Sequence, residues 1–330
     1  MTDSMIEVVD LKQHFPIYGG VFLRQVGTVY ALDGVSIKVK KGETVGLVGE
    51  SGCGKTTMGR AMLRLYDPTA GRIMFDGIDI TNLSQKELRP LRRQMQIIFQ
   101  DPFESLNSRH TVGEILEESF IIHKQLESKD RKTKVKQLLD TVGLSGSAAD
   151  RYPHEFSGGQ RQRIGIARAI SLNPKLVVCD EPVSALDVSI QSQILNLLLQ
   201  LQQELDLTYL FISHDLAVVK HISDRIAVMY LGKIVEYASA KDIIETPQHP
   251  YTQALISAIP EPDPDRKKKK VILTGDVPSP INPPSGCCFH TRCPVATDIC
   301  HQQTPELEQS GSGIDHQVAC HFAGKVNLVD

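Results

Sequence analysis

A glycine-rich loop lies between a predicted strand and a predicted helix near the start of the chain. Residues 49 to 56 read Gly-Glu-Ser-Gly-Cys-Gly-Lys-Thr, which fits the pattern G-x-x-x-x-G-K-[ST]. The apolar run at 44–48 predicts a buried strand, and a helical pattern begins near Lys55. Glycines let such a loop turn sharply with its N–H groups pointing inward, and a helix N-terminus attracts anions. The segment therefore predicts an α/β core with a phosphate-binding loop.

The side chains of this loop suit a nucleotide. Lys55 is predicted to neutralise the β- and γ-phosphates of ATP, and Thr56 to place its hydroxyl on Mg²⁺. The alternative, a chance glycine-rich turn, is disfavoured because the full pattern stands between a strand and a helix. The other loop residues expected at the nucleotide are Gly49, Glu50, Ser51, Gly52, Cys53, Gly54 and Thr57.

Composition narrows the class of protein. The 330 residues, with 41% hydrophobic and 23% charged side chains, are typical of a soluble globular chain with room for about two domains. The net charge of -3 gives no basic surface overall, so we expect no nucleic-acid partner. No apolar stretch approaches the roughly 18 residues of a membrane span, and the start lacks a secretion signal. We therefore expect the chain itself to stay in the cytosol.

The order of predicted elements indicates how the core is built. Residues 5–48 read as short strands, with turn signals at 18–20 and 41–42, and a second strand pair surrounds 71–77. From about 111 to 141 the pattern becomes helical and charged. We interpret this block as part of a helical subdomain, about 101–160, inserted in the α/β core.

The second half of the core alternates helices and strands. Apolar runs at 176–179 and 209–212 predict strands, and a helix is predicted from about 188 to 205. This order implies parallel strands buried on both faces. The apolar residues of the long helix recur at helical spacing and are expected in the core: Ile190, Ile194, Leu197, Leu198, Leu201 and Leu205.

A change of composition near Ile259 predicts a domain boundary. The proline- and acid-rich stretch 260–265, followed by Arg266 and four lysines, reads as a linker. We therefore divide the chain into a nucleotide-binding region, 1–259, and a linker with a small cysteine-bearing module, 260–330.

Two adjacent carboxylates end the predicted strand at 176–179. Open α/β folds bind ligands at the carboxyl ends of their strands, so Asp180 and Glu181 are candidate catalytic groups. Asp180 is expected to orient Mg²⁺, and Glu181 to accept a proton from the attacking water. The alternative is an acidic helix start at Glu181-Pro182, since proline also suits a first helical turn.

These motifs, taken with others further along the chain, resemble the ATPase subunits of ABC transporters over residues 5–258. The resemblance rests on the phosphate loop, Gln100, Asp180-Glu181 and His214, together with the signature Phe156-Ser157-Gly158-Gly159-Gln160 and the segment Ser184-Ala185-Leu186-Asp187. It implies an ABC-type ATPase core with an antiparallel β subdomain and an inserted helical subdomain.

The resemblance also implies a role for each matching residue. Gln100 would touch Mg²⁺ and the attacking water, and His214 would bind the γ-phosphate. Ser157, Gly158, Gly159 and Gln160 would clamp the γ-phosphate of ATP held by an opposite cassette, with Asp187 at the seam of the cassette dimer. Phe156 stands where leucine is usual in the signature, and neither this departure nor the next removes a catalytic group.

One aromatic residue is expected to stack on adenine. Phe15 lies nearest the position where this family places such a residue, although tyrosine is commoner there. Tyr18 and Tyr30 remain rivals, and an aromatic side chain here also suits a core position.

The tail resembles the C-terminal extension of oligopeptide and dipeptide transporter ATPases. The resemblance is carried by 282–287, by the cysteines that follow, and by His249-Pro250-Tyr251-Thr252. It places the chain in the peptide and nickel import subfamily, with peptides as the expected cargo and nickel chelates as the alternative.

Five of the seven cysteines fall in this tail, and four of them, called the tail cysteines below, are spaced at intervals that suit one metal centre: Cys287, Cys293, Cys300 and Cys320. Members of the subfamily can carry a 4Fe-4S cluster there. Zinc in a four-thiolate site and plain reduced thiols remain the alternatives, because tight C-x₂-C pairs are missing. Cys288 is a possible substitute for its neighbour Cys287, and Cys53 and Cys179 are expected to be buried without a role.

The resulting prediction is the ATP-hydrolysing subunit of a peptide importer at the cytoplasmic face of the cell membrane. The implied partners are two polytopic permease subunits, a paralogous ATPase subunit and an extracytoplasmic solute-binding protein. Two other classes of ABC protein are disfavoured. DNA-repair ATPases need a long coiled coil between the phosphate loop and the signature, and the segment between these motifs is too short to hold one. Ribosome-associated ABC proteins normally carry two cassettes, whereas one cassette is visible in this sequence. A soluble metal-sensing ATPase with vestigial sites is disfavoured because every catalytic position is filled.

Overall fold

The computed structural model describes residues 3–259, 270–310 and 315–328, apart from the side chain of Glu104. The predicted linker at 260–265 and most of the basic run after it lie outside the described residues. The chain forms two compact units. The first comprises the described residues up to Met5, Val39–Glu43 and Asn82–Ile212, and the second comprises Ile6–Lys38, Thr44–Thr81 and the residues from Ser213 onward.

The strands of the described residues range from two to seventeen residues in length. In chain order they are β1 (Ser4–Gly19), β2 (Arg24–Lys40), β3 (Thr44–Val48), β4 (Ala70–Phe75), β5 (Ile78–Asp79), β6 (Met95–Ile98), β7 (Leu176–Asp180), β8 (Thr208–Ile212), β9 (Arg225–Tyr230), β10 (Lys233–Ser239), β11 (Glu308–Gln309) and β12 (Gln317–Val318).

The helices of the described residues are mostly short, and none of them has both the length and the apolarity needed to cross a membrane. In chain order they are α1 (Lys55–Met62), α2 (Gln85–Arg92), α3 (Pro102–Ser105), α4 (Val112–Ile122), α5 (Ser128–Thr141), α6 (Gly158–Ile170), α7 (Val188–Leu205), α8 (Leu216–Ile222), α9 (Ala240–Glu245), α10 (Pro250–Ser257) and α11 (Asp298–Gln302).

The first unit is built on three parallel strands in the order β6-β7-β8. Every residue of β7 and β8 is buried, which explains their unbroken apolar runs. The helices α3, α4 and α5 and two 3₁₀ turns, Gly146–Asp150 and Pro153–Glu155, follow β6 and precede α6. The predicted parallel strands and the helical block are therefore confirmed.

The second unit combines a parallel pair with antiparallel strands. Strand β3 runs parallel to β9, which pairs antiparallel with β10, and β10 continues through β12 to β11. A separate four-stranded sheet has the order β2-β1-β4-β5. Because β11 and β12 come from the predicted tail, the described tail residues belong to the same unit as the phosphate loop.

Two sequence expectations were wrong in detail. The strands before position 48 are not short, since β1 has 16 residues and β2 has 17. Glycine, proline and polar residues interrupt their alternation, which hid their length. Two residues of α7 are not in the core as expected: Ile190, in its first turn, is half-buried, and Leu205 is 37% exposed. Leu205 ends α7 just before Asp206 takes a left-handed conformation.

Candidate nucleotide-binding and catalytic site

The phosphate loop connects β3 to α1 within the second unit, as predicted. Gly49 lies against β9, where a Cβ atom would overlap the carbonyl oxygen of Met229. Gly54 has φ +107°, and a Cβ atom there would overlap the carbonyl oxygen of Ala31. Only glycine fits both positions, because the first needs close approach of backbones and the second a left-handed conformation.

The ammonium group of Lys55 points back into its own loop. Its Nζ donates to the carbonyl oxygens of Gly49, at 2.8 Å, and Glu50, at 2.9 Å. Only 5% of Lys55 is exposed, so the charge is held within the turn. Helix α1 begins at this residue without a side-chain cap, and the helix N-terminus and the lysine together favour an anion at the loop.

Glu50 is held by two side chains that are distant in the chain, Tyr251 and, in the tail, Arg292. Its backbone N–H donates to the Tyr251 hydroxyl at 2.9 Å. Its carboxylate accepts two hydrogen bonds from the Arg292 guanidinium, at 2.7 and 3.1 Å. Tyr251 belongs to a family motif, but no motif includes Arg292. Nothing in the local pattern indicates a contact over such a chain separation.

His214 lies two residues beyond the end of β8, and its side chain is exposed. The backbone holds this position, because Ser213 donates its N–H to the carbonyl of Leu47 at 3.1 Å. Asp215 then caps α8 by accepting from the N–H groups of Ala217 and Val218. The histidine is therefore fixed between a strand end and a helix start.

The aromatic residues considered for adenine stacking differ in their surroundings. Phe15 is half-buried and makes an edge contact with Tyr66, with ring centroids 5.4 Å apart. Tyr18 is 60% exposed, and Tyr30 makes an edge contact with His14 at 4.7 Å. All three have ring surface outside the core, so the choice of Phe15 stays a prediction.

The two adjacent carboxylates end β7 in the first unit. Asp180 is 2% exposed, whereas Glu181 is partly exposed and has φ +46°. A left-handed conformation is strained for a residue other than glycine, and here the Glu181 N–H donates to the Ile212 carbonyl at 3.0 Å. The Gln100 amide donates to the Glu181 carboxylate at 3.0 Å. The structure thus pairs two of the predicted catalytic side chains.

The signature residues form the N-terminus of α6. Ser157 Oγ accepts from the Gln160 N–H at 3.3 Å, and the Gln160 side chain accepts from the Ser157 N–H at 3.0 Å. This reciprocal capping box fixes the first turn. Phe156 is 4% exposed and lies under the Arg151 guanidinium, so an apolar side chain suits this position.

Asp187 occupies the N-cap position of α7, and its side chain makes no capping hydrogen bond. The residue is exposed, and the next residue, Val188, is 79% exposed. An exposed acid and an exposed apolar residue at a helix start are compatible with the predicted dimer seam, which stays a prediction.

The backbones of two tail cysteines are in contact, since the Cys287 N–H donates to the Cys300 carbonyl at 2.8 Å. Burial is the main reason why the pKa of the Cys287 thiol is raised to about 11, and the charges of Cys300, Cys320 and Cys293 add to the rise. Burial also raises the pKa of Cys293, with further contributions from Cys320 and Cys300. Within the described residues, no three His, Cys, Asp or Glu side chains are placed to hold a single metal ion.

The other three cysteines are all buried. Cys53 and Cys179 are buried, as expected, at 2% and 0% exposure. The Cys288 thiol contacts the Tyr230 carbonyl at 4.0 Å, and burial raises its pKa to about 12. Cys288 is therefore a poorer candidate than Cys287 for the group of four.

Two family models match the chain. The first, described as ABC transporter, matches residues 32–184. The second, described as oligopeptide/dipeptide transporter, C-terminal region, matches residues 235–300. Together they cover the phosphate loop, the signature, the paired carboxylates and three of the four tail cysteines.

Curated relatives match over nearly the whole chain. The oligopeptide transport ATP-binding protein AppF of Bacillus subtilis is 56% identical over 97% of this chain and 98% of its own length. A putative peptide import ATP-binding protein of Brucella ovis is 58% identical over 97% and 98%.

Solved structures resemble the nucleotide-binding region. An ATP-binding cassette dimer in a post-hydrolysis state, bound to ADP and phosphate, matches with a TM-score of 0.64 and 28% identity over 72% of this chain and 99% of that one. A dimeric bacterial ABC transporter cassette matches with a TM-score of 0.64 and 29% identity over the same shares.

Proposed function

Because the chain belongs to the ATP-binding subunits of ABC transporters, we propose that it hydrolyses ATP to power the import of peptides. The match of residues 235–300 to the oligopeptide and dipeptide transporter C-terminal region carries the choice of cargo. The relatives named for peptide transport align over this tail as well as the nucleotide-binding region. Peptides are therefore favoured over nickel chelates, the alternative cargo of the subfamily.

The phosphate loop binds ATP in this proposal. Lys55 turns its ammonium from the carbonyls of Gly49 and Glu50 towards the β- and γ-phosphates, and the N–H groups at the start of α1 bind the same anion. The hydroxyl of Thr56 and the carboxylate of Asp180 are oxygen ligands, which suit Mg²⁺. When bound, Mg²⁺ neutralises part of the phosphate charge.

Hydrolysis depends on the first unit. Glu181 accepts a proton from the attacking water, a contribution of about 10² to 10⁴ in rate. Gln100, which donates to the Glu181 carboxylate at 3.0 Å, orients this base and the water. His214 donates a hydrogen bond to the γ-phosphate, and Phe15 stacks on adenine.

In this proposal the signature residues bind a second ATP molecule. Ser157, Gly159 and Gln160 clamp the γ-phosphate of ATP held by a partner cassette, with Asp187 at the seam. The dimeric cassette among the structural relatives supports this arrangement. We propose a paralogous ATPase subunit as the partner, two permease subunits as the membrane anchor, and an extracytoplasmic solute-binding protein that delivers cargo. The chain then works at the cytoplasmic face of the membrane.

We further propose that the tail holds a 4Fe-4S cluster on Cys287, Cys293, Cys300 and Cys320. All four thiols act on one another, yet no three described side chains are placed for a single ion. The cysteine spacing and the resemblance of the tail, and not the placement of the thiols, support the cluster. Purification without oxygen should give brown protein with about four irons per chain. Stoichiometric zinc, or neither metal, would contradict the cluster.

Co-purification tests the transport role. A tagged chain extracted from native membranes should bring two polytopic membrane proteins and a second ATP-binding cassette, and the complex should hydrolyse ATP. Recovery of ribosomes or nucleic acid in place of membrane proteins would overturn the proposal.

A further inference from the structure

The phosphate loop is tied to the tail through one residue, Glu50. Its carboxylate binds the Arg292 guanidinium with both oxygens, at 2.7 and 3.1 Å. The pair is partly buried, since the Arg292 side chain is 8% exposed and the Glu50 side chain 28%. Paired, charge-assisted hydrogen bonds of this kind hold orientation better than a single contact.

The backbone of Glu50 is held as firmly as its side chain. The N–H donates to the Tyr251 hydroxyl at 2.9 Å, and the carbonyl accepts from Lys55 Nζ at 2.9 Å. A shift of Glu50 therefore moves one of the two carbonyl oxygens that position the Lys55 ammonium. Arg292 thus acts on Lys55 through a single intervening residue.

The backbone of Arg292 is anchored within the tail. The Arg292 N–H donates to the carbonyl of Phe289 at 3.0 Å, and Phe289 is 1% exposed. The Phe289 ring packs against Tyr230 at 5.2 Å and Tyr251 at 5.4 Å. Phe289 thereby contacts both residues that hold Glu50, the ring of Tyr251 and the backbone of Arg292.

We propose that Arg292 is a positioning residue for ATP: it holds Glu50, and through it the phosphate loop, in the conformation that binds nucleotide. Without Arg292, the Glu50 carboxylate stands unpaired beside the site of the ATP phosphates and repels them. The tail then contributes to ATP binding, in addition to indicating the class of cargo. The inference rests on the proposed ATPase function, but it needs no occupant for the four thiols.

The test compares Arg292→Ala with wild type in the purified transporter complex. The KM for ATP should rise about tenfold, the loss expected for one charge-assisted contact, while kcat stays within about twofold. Arg292→Lys keeps the charge but not the paired hydrogen bonds, so its KM should rise about threefold. Arg72→Ala is the matched control, since Arg72 pairs with Asp79 at 2.7 Å on an exposed surface, and it should leave KM unchanged.

The double variant Glu50→Gln/Arg292→Ala separates positioning from a general need for a folded tail. Removing the unpaired carboxylate relieves the repulsion but does not restore the contact that holds the loop, so KM should fall below that of Arg292→Ala and stay above that of wild type. An unchanged KM in Arg292→Ala, or no recovery in the double variant, would overturn the inference. If Arg292→Ala does not fold, the test passes to Arg292→Lys, where an unchanged KM would overturn the inference equally. Wild type without ATPase activity would instead refute the proposed function.

Discussion

The signature turn and the phosphate loop both present a helix N-terminus, but they are held in different ways. The signature turn is closed by two of its own side chains, Ser157 and Gln160, within four residues. The phosphate loop has no side-chain cap on its helix. It is fixed from outside, by Tyr251 and Arg292 at its residue Glu50.

The signature turn is held by contacts within its own sequence, whereas the phosphate loop is also held by residues that are distant in the chain. The signature turn needs only its own sequence to take shape, because its capping box is complete. The phosphate loop also depends on the tail, which belongs to the same unit. A substitution that disturbs the tail should therefore weaken ATP binding at the phosphate loop and leave the signature turn unchanged.

The largest expected effect is on the rate of ATP hydrolysis and not on the affinity for ATP. Glu181→Gln should slow ATP hydrolysis by about 100-fold or more, because the substitution removes only the proposed proton acceptor. ATP affinity should persist, since the phosphate loop is unchanged. Turnover and binding of a fluorescent ATP analogue measure the two effects. Glu204→Gln, at an exposed position in the same unit, is the control and should behave as wild type.

The parts of the site that depend on short-range patterns could be predicted from the sequence. The loop, the signature, the paired carboxylates and the strands that carry them all obey short-range patterns, and each lies where the pattern indicated. The contact between Arg292 and Glu50 has no such pattern, because it depends on how the tail folds back. The length of β1 and β2 was missed for a related reason: pairing partners, and not local alternation, extend those strands.

His249, which caps the helix that carries Tyr251, should make folding sensitive to acid. Burial lowers the pKa of His249 from 6.5 to about 4, against the opposing charge of Glu236. The unfolded chain therefore binds a proton at His249 below about pH 6.5 that the folded chain refuses until about pH 4. Stability should fall by about 2 kcal/mol between about pH 7.5 and pH 5 from this group alone.

His249→Asn should remove most of this acid sensitivity. Asparagine keeps an N-cap for α10, where the His249 side chain accepts from the Tyr251 N–H. Denaturant unfolding at both pH values gives the comparison, with His221→Asn at an exposed site as the control. Equal pH dependence in wild type and His249→Asn would show that His249 is not buried in its neutral form.

The smallest expected effect tests the signature turn. Ser157→Ala and Ser84→Ala each remove a capping box, so each should lose about 1 kcal/mol of stability. Only Ser157→Ala should also lower the ATPase rate of the complex, by about tenfold, because Ser157 is the residue proposed to contact the partner's nucleotide. Equal ATPase rates in the two variants would remove Ser157 from the proposed second site.

Peptide uptake by whole cells tests the central claim most directly. A strain that lacks this chain should regain accumulation of a radiolabelled oligopeptide when it receives the wild-type chain. It should not regain uptake with Glu181→Gln, although that variant still reaches the membrane complex. Equal uptake with Glu181→Gln and wild type, or no restoration by wild type, would contradict an ATP-hydrolysing subunit that powers peptide import.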